Sequence, residues 1–284
     1  MTRIHISCAA TVLALSLLPL AAREADAQQV IWRGRSGGYD VTWSDRDISA
    51  RRASDGAVVF SARRLADAEW AEMDTDPADT PSVREYERKV RLLSVVGSVI
   101  SLEEATYCDC GGAHPISWTR FIAYDLARST AARPHAVSAG DLVPETDLLR
   151  ALAADRLIQQ AMRGAGLRAL PPLARVGKAL QGQDIQPAGE ECTYGVGEQF
   201  PTAFAAHHVE NGRVALRFSL SHAVEVCRGM MIQVGVLVPP RARVMADLNA
   251  AAARRAGFLT KDLRTIAGDR GSVFNYKPRR RGGR

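Results

Sequence analysis

The chain has 284 residues, 46% of them hydrophobic, and carries 37 Lys and Arg against 31 Asp and Glu for a net charge of +6. That length supports one large or two small domains with a proper core. The excess charge belongs to one end, because Lys277, Arg279, Arg280, Arg281 and Arg284 are clustered there. The body is therefore near neutral, which argues against a nucleic-acid-binding protein, and the tail is expected to be a solvated end.

A positive start at Arg3, an apolar run from about Cys8 to Ala22 and the small residues of Ala25-Asp26-Ala27 form a secretory signal pattern. The run is shorter than the roughly 18 apolar residues that span a bilayer. Cleavage after Ala27 predicts a periplasmic or secreted protein without a transmembrane segment. In an oxidising compartment the four remaining cysteines, Cys108, Cys110, Cys192 and Cys227, are disulfide candidates. An extended Cys108-Asp109-Cys110 would separate its cysteine Cα atoms by about 6.6 Å, at the wide edge of disulfide geometry. The spacing favours each bonding to one of the distant pair; a redox Cys-X-Cys or a metal site with His114 is the alternative.

Short strands are expected at Val30-Ile31-Trp32 and Tyr39 to Trp43. A hairpin should follow, Ile48 to Ala53 and Ala57 to Ser61 flanking a type I′ turn at Asp55-Gly56. Arg63 to Met73 suits a helix, and Asp74 to Pro81 a loop. From Val83 to Leu102 the pattern predicts one long central strand, alternating first and continuously apolar later. The loop Gly111-Gly112-Ala113-His114-Pro115 leads into a second strand, Trp118 to Leu126.

A helix with one broad apolar face should run from Pro144 to about Arg163. Pro171 to Glu191 has loop composition, with room for a helical turn at Leu173 to Leu180. Phe204 to Val209 and the alternating Arg213 to Leu220 enclose Asn211-Gly212, a strong hairpin signal. A further strand runs from Ile232 to Val238, Ala246 to Ala256 is helical by composition, and residues beyond Asp269 are expected to be tail.

These pieces, in this order, resemble the exported domain of unknown function 3298 family. The likeness rests on Leu92 to Leu102, the Gly111 to Pro115 loop, Phe121-Ile122-Ala123-Tyr124-Asp125-Leu126, Gly140-Asp141-Leu142 before the helix, and Phe204 through Pro239. The family occurs in an anti-sigma-factor ectodomain that binds lysozyme (RsiV-like) and beside some peptidoglycan deacetylase domains. Arg128-Ser129-Thr130 replaces the Thr-Gly usual after the Tyr-Asp-Leu strand, and Val226-Cys227-Arg228 replaces aromatic residues near the crossing segment. The chain has no recognisable deacetylase domain, so neither family activity carries over.

The resemblance implies an α+β fold, an antiparallel sheet packed on one main helix, with an N-terminal β-rich region. The organisation is then a signal peptide at 1–27, the β-rich region at 28–82, the family-like domain at 83–240 and a helix with basic tail at 241–284. The function it implies is an exported cell-envelope binding module, with an envelope protein such as lysozyme or peptidoglycan as partner. Gly111, Gly112, His114 and Pro115 are the candidate ligand-binding residues.

No catalytic residue, metal or cofactor is assigned. The alternative is an envelope hydrolase using His114 and nearby carboxylates. Asp125 and Asp141 are more simply a strand end and a turn, and consecutive His207 and His208 should point to opposite faces of a strand. The four tryptophans, Trp32, Trp43, Trp70 and Trp118, are too scattered in sequence to define a carbohydrate platform.

Overall fold

A computed structural model of the chain describes residues 28–73, 83, 85–111, 113–222, 227 and 229–277. The expected signal peptide, the loop from Asp74 to Pro81, Gly112 and the tail after Lys277 lie outside the described residues.

The protein is α+β and its sheets are antiparallel. Strands β1 (Val30–Ser36), β2 (Tyr39–Ser44), β3 (Ile48–Arg52) and β4 (Val58–Ser61) form the N-terminal sheet in that order, followed by helix α1 (Ala62–Met73). Next come β5 (Glu85–Val96), β6 (Val99–Asp109) and β7 (Ile116–Asp125), then helices α2 (Glu145–Ala154), α3 (Arg156–Gly164) and α4 (Leu173–Leu180). The chain continues through β8 (Tyr194–Gly195), β9 (Phe204–Glu210), β10 (Arg213–His222) and β11 (Met231–Val238). It closes with α5 (Ala242–Ala252), α6 (Leu263–Ala267) and β12 (Ser272–Tyr276). The central sheet has the order β12-β5-β6-β7; in the third sheet β10 pairs with β8, β9 and β11.

The apolar faces close two cores. One gathers Leu148, Leu152, Ile158, Met162 and Val176 from the helices against Phe204, Leu216, Phe218 and Val234 of the third sheet. The other gathers Trp43, Ile48 and Phe60 from the N-terminal sheet against Leu92, Leu102 and Ile122, and includes Phe258 and Phe274 from the C-terminal segment. The N-terminal sheet, the central sheet and the chain end thus share one apolar interior. Among the described residues no helix is long and apolar enough to cross a membrane.

The Asn211-Gly212 hairpin forms with φ of 48° and 70°, the left-handed pair of a type I′ turn. At Asp55-Gly56 the turn is longer than expected. Arg52 N donates to Ala57 O, and of the two only Gly56 is left-handed, while Asp55 Oδ1 accepts from Ala57 N. The single strand expected over 83–102 is two strands, because Gly97 (φ 56°) turns the chain and brings Val99 opposite Val96. The apolar run conceals the turn: largely buried arms flank it, and Gly97-Ser98 is the only interruption between Val96 and Val99.

The helix expected from Pro144 to Arg163 is broken at Asp155, whose ψ of 136° is extended and whose Oδ1 accepts from Leu157 N and Ile158 N. An aspartate cap competes with helix continuation, so one apolar face is shared by two helices. The C-terminal helix begins four residues before the expected Ala246, at Ala242. Ser272 to Tyr276 is a strand, where tail was expected: it pairs with Val90 to Tyr86, far away in sequence, and buries Ser272 and Phe274. Asp155→Ala should lower stability by about 1 kcal/mol through loss of the α3 cap, seen as a lower urea midpoint with an unchanged denaturant slope.

Candidate functional site

Direct partners across β5, β6 and β7 place Tyr86, Arg88, Thr106, Glu104, Trp118 and Arg120 on one face of the central sheet. Glu104, opposite Arg120, is buried at 2% exposure, and Arg88 is 4% exposed. Oε1 of Glu104 accepts from Arg88 Nη2. Oε2 accepts from Arg120 Nε at 3.1 Å and Nη2 at 3.0 Å. The other arm of Arg88, Nη1, pairs with Glu69 on α1.

Burial by itself pushes the Glu104 carboxyl up, but Arg88 and then Arg120 outweigh it and hold the group below the usual carboxylate range. Tyr86 packs against both Trp70 and Tyr276, at ring centroid distances of 6.1 and 5.8 Å, and those two rings stack on each other at 5.5 Å. Its hydroxyl is buried without a hydrogen bond to any of the described residues. Burial and the nearby Glu69 push this phenol up to about 12.

Arg120 is half in and half out. Its side chain is 38% exposed, and Nη1 has no partner among the described residues. It opens into a cleft of about 340 Å³ between β7 and the 197–203 segment, walled by Trp118 and Phe200 and edged by Glu198, Ser219 and Ser221. Ser219 Oγ accepts from Phe121 N at 2.9 Å and Ser221 Oγ donates to Thr119 O, so β10 side chains tie down the free edge of β7. Helix α4 supports the opposite rim: a Cβ at Gly177 would lie 2.2 Å from Glu198 O. The cleft combines an aromatic wall, a fixed cation, the Glu198 carboxylate and hydroxyls, a set suited to holding a polar ligand that carries charged groups.

The candidate loop stands at the end of the same strand. Gly111 (φ 78°) takes a bond from its N–H to Asp109 Oδ1 at 3.5 Å, Pro115 is half-buried, and His114 is exposed. None of the four clefts described has His114 in its lining. Asp125 lies at the opposite end of β7, nine residues from Ile116 or about 30 Å at strand rise. Asp125 and Asp141 do approach one another, bridged by Arg128 at 2.7 and 3.6 Å. They form an ion-pair cluster away from His114, not an acid and base pair beside it.

Cys108 pairs with Cys110 (Cα separation 5.2 Å) and Cys192 with Cys227 (5.8 Å). This corrects the expected distant pairing: the chain shortens where β6 ends at Asp109, bringing the two cysteines inside disulfide range without a long-range partner. Both pairs suit an extracytoplasmic compartment.

His207 and His208 also depart from expectation. A register shift between Ala215 and Leu216 leaves a bulge in β9, and the rings meet with Nδ1 atoms 2.8 Å apart. The bulge breaks the alternation that would have separated them. Desolvation, then Arg217 and His208, push His207 below the usual imidazole range. His208 Nε2 lies 3.5 Å from Glu210. Among the described residues no group of three or more His, Cys, Asp or Glu has metal-holding geometry. His222 ends β10 with its side chain outside the described set.

The tryptophans separate by role. Trp43 is fully buried, Trp70 stacks near Tyr86 and Tyr276, Trp32 meets Phe258 edge-on, and Trp118 lines the cleft. Trp118 and Arg120, two apart on β7, share a face of that strand, and the 197–203 segment brings Phe200 to them, a meeting that spacing along the chain does not show. No family model, curated protein or solved structure matches the chain.

Glu104→Gln should destabilise the fold by about 3–5 kcal/mol, because two arginines lose their shared carboxylate. The depressed pKa also sets a pH dependence. Its stabilisation is complete above the ordinary glutamate value, about 4.3, and is lost as pH falls through the lower folded value. Thermal melts between pH 7 and pH 2 should therefore show a steeper acid decline for the parent chain than for the variant.

Proposed function

We propose that this protein is an exported binding module of the cell envelope that holds a peptidoglycan fragment in the cleft beside β7. The observation that carries the proposal is the juxtaposition in the cleft lining of Trp118 with Arg120, whose Nε and Nη2 are committed to Glu104 and whose side chain is partly exposed. Sugar rings present flat apolar faces to an indole, and the peptide stem carries carboxylates that a guanidinium recognises. A guanidinium already anchored loses little freedom when a ligand arrives. The resemblance to the 3298 family and the cysteine pairing support an envelope setting.

The hydrolase reading draws less support. It needs a carboxylate working with His114, and the Asp125 and Asp141 pair lies at the far end of β7. Asp109, the nearby acid, accepts from the Gly111 N–H of the loop itself.

Calorimetric titration of the oxidised protein with a disaccharide-tetrapeptide muropeptide should give saturable binding. Trp118→Ala should weaken it at least tenfold with an unchanged circular dichroism spectrum, and His114→Ala should leave it within twofold. An absence of binding by the parent chain would sink the proposal. Turnover of the muropeptide that disappears in His114→Ala would replace it with the hydrolase.

A further inference from the structure

A second opening lies where β1 meets the turn after α5. This groove of about 470 Å³ is lined by Arg33, Arg35, Arg254 and Arg255, with Trp32 and Ile266 among its apolar walls. No acidic side chain belongs to its lining. Arg35 is paired with Asp40 at 2.8 Å. Among the described residues Arg33, Arg254 and Arg255 have no ion-pair partner, and all three are exposed.

Three uncompensated guanidinium groups around one concavity repel each other, and that repulsion is relieved when an anion enters. Arginine is suited to a phosphate because its planar fork offers two parallel N–H donors to two oxygens.

The walls are held rigidly. Trp32 lies across Gly34, where a Cβ would be 2.5 Å from the indole, and its ring meets Phe258 at 4.9 Å. Phe258 and Val95 exchange both backbone hydrogen bonds, and Gly257 is so close to β5 that a Cβ would lie 2.1 Å from Val95 O. The arginines of the 254–255 turn therefore stand on a loop clipped to the central sheet.

Arg254 is itself left-handed, with φ of 54°; among the described residues the other non-glycine residue with positive φ is Asn211. It occupies the position after the C-cap of α5, where glycine is the unstrained choice. A bulky cation is kept there at a conformational cost.

We infer that this groove is an anion site for a phosphate-bearing ligand, whose phosphate or pyrophosphate is clasped by Arg33, Arg254 and Arg255 and whose uncharged part rests on Trp32. The basic tail is a separate feature. It leaves β12 at Tyr276, which pairs with Tyr86, and nine residues of β5, about 30 Å, separate that point from Val95. The same chemistry belongs to a free phosphorylated metabolite or to a lipid headgroup, and two probes distinguish them.

The oxidised protein is titrated with inorganic pyrophosphate, and separately mixed with vesicles containing phosphatidylglycerol, at low and at physiological salt. Saturable, salt-weakened binding to either probe is expected, lost at least tenfold in Arg254→Gln/Arg255→Gln and retained after truncation at Tyr276. Pyrophosphate binding points to a free phosphate ligand, and vesicle binding alone to a headgroup. Arg254→Gly supplies an internal control: its melting temperature should rise as the strain is released, while binding falls. Binding of neither probe, binding that persists in the double variant, or binding that disappears with the tail overturns the inference. Muropeptide binding is expected to be untouched by these variants, so the two sites fail or stand separately.

Discussion

A carboxylate buried between two arginines is the constraint on which the central sheet depends. Glu104 sits where water cannot solvate it, so its charge is tolerable only if both oxygens meet cations. Arg88 comes from β5, Arg120 from β7, and Glu69 ties the cluster to α1. One ionic ladder therefore crosses three strands and a helix. A slip of one residue in β5 or β7 would carry its arginine to the other face and leave the buried Glu104 carboxylate short of a partner, which makes the ladder a register device as well as a bond.

The ladder also connects fold to proposed function. Arg120 is anchored by Glu104 and lines the cleft, so the cation of that wall is set in place by the core. The aromatic stack of Trp70, Tyr86 and Tyr276 closes the neighbouring part of the same face. At the opposite end of β5 the chain makes a different kind of contact, backbone on backbone, where Val95 grips Phe258. One long strand thus separates a neutral ionic cluster from a groove of uncompensated arginines.

Much of the fold was legible where a pattern is local. The Asn211-Gly212 hairpin, the strand ending at Val238, the helix after Ser61 and the short strands around Trp32 and Trp43 all carry their signal within a few residues. The misses share a cause. The turn at Gly97 lies inside a run buried on both sides, the break at Asp155 depends on a side chain choosing a cap over helix continuation, and β12 exists because β5 offers it an edge. The bulge that joins His207 to His208 is likewise a property of pairing with β10, invisible in the alternation of one strand.

Of the candidate site, the sequence pointed to the loop before β7 and not to the cleft beside that strand. Glycines and a histidine before β7 drew attention to the loop, whereas the residues that converge in a cleft are Trp118 and Arg120 inside the strand with Phe200 from about eighty positions later. The sequence by itself determined most of the strands and helices, the local turns and the four cysteines, because these rest on residue identity, periodicity and backbone preference within short windows. Only the tertiary structure decided which cysteines pair, which carboxylate is buried and which arginines stand uncompensated. Those outcomes depend on distance and desolvation, and both are set by segments that meet only after folding.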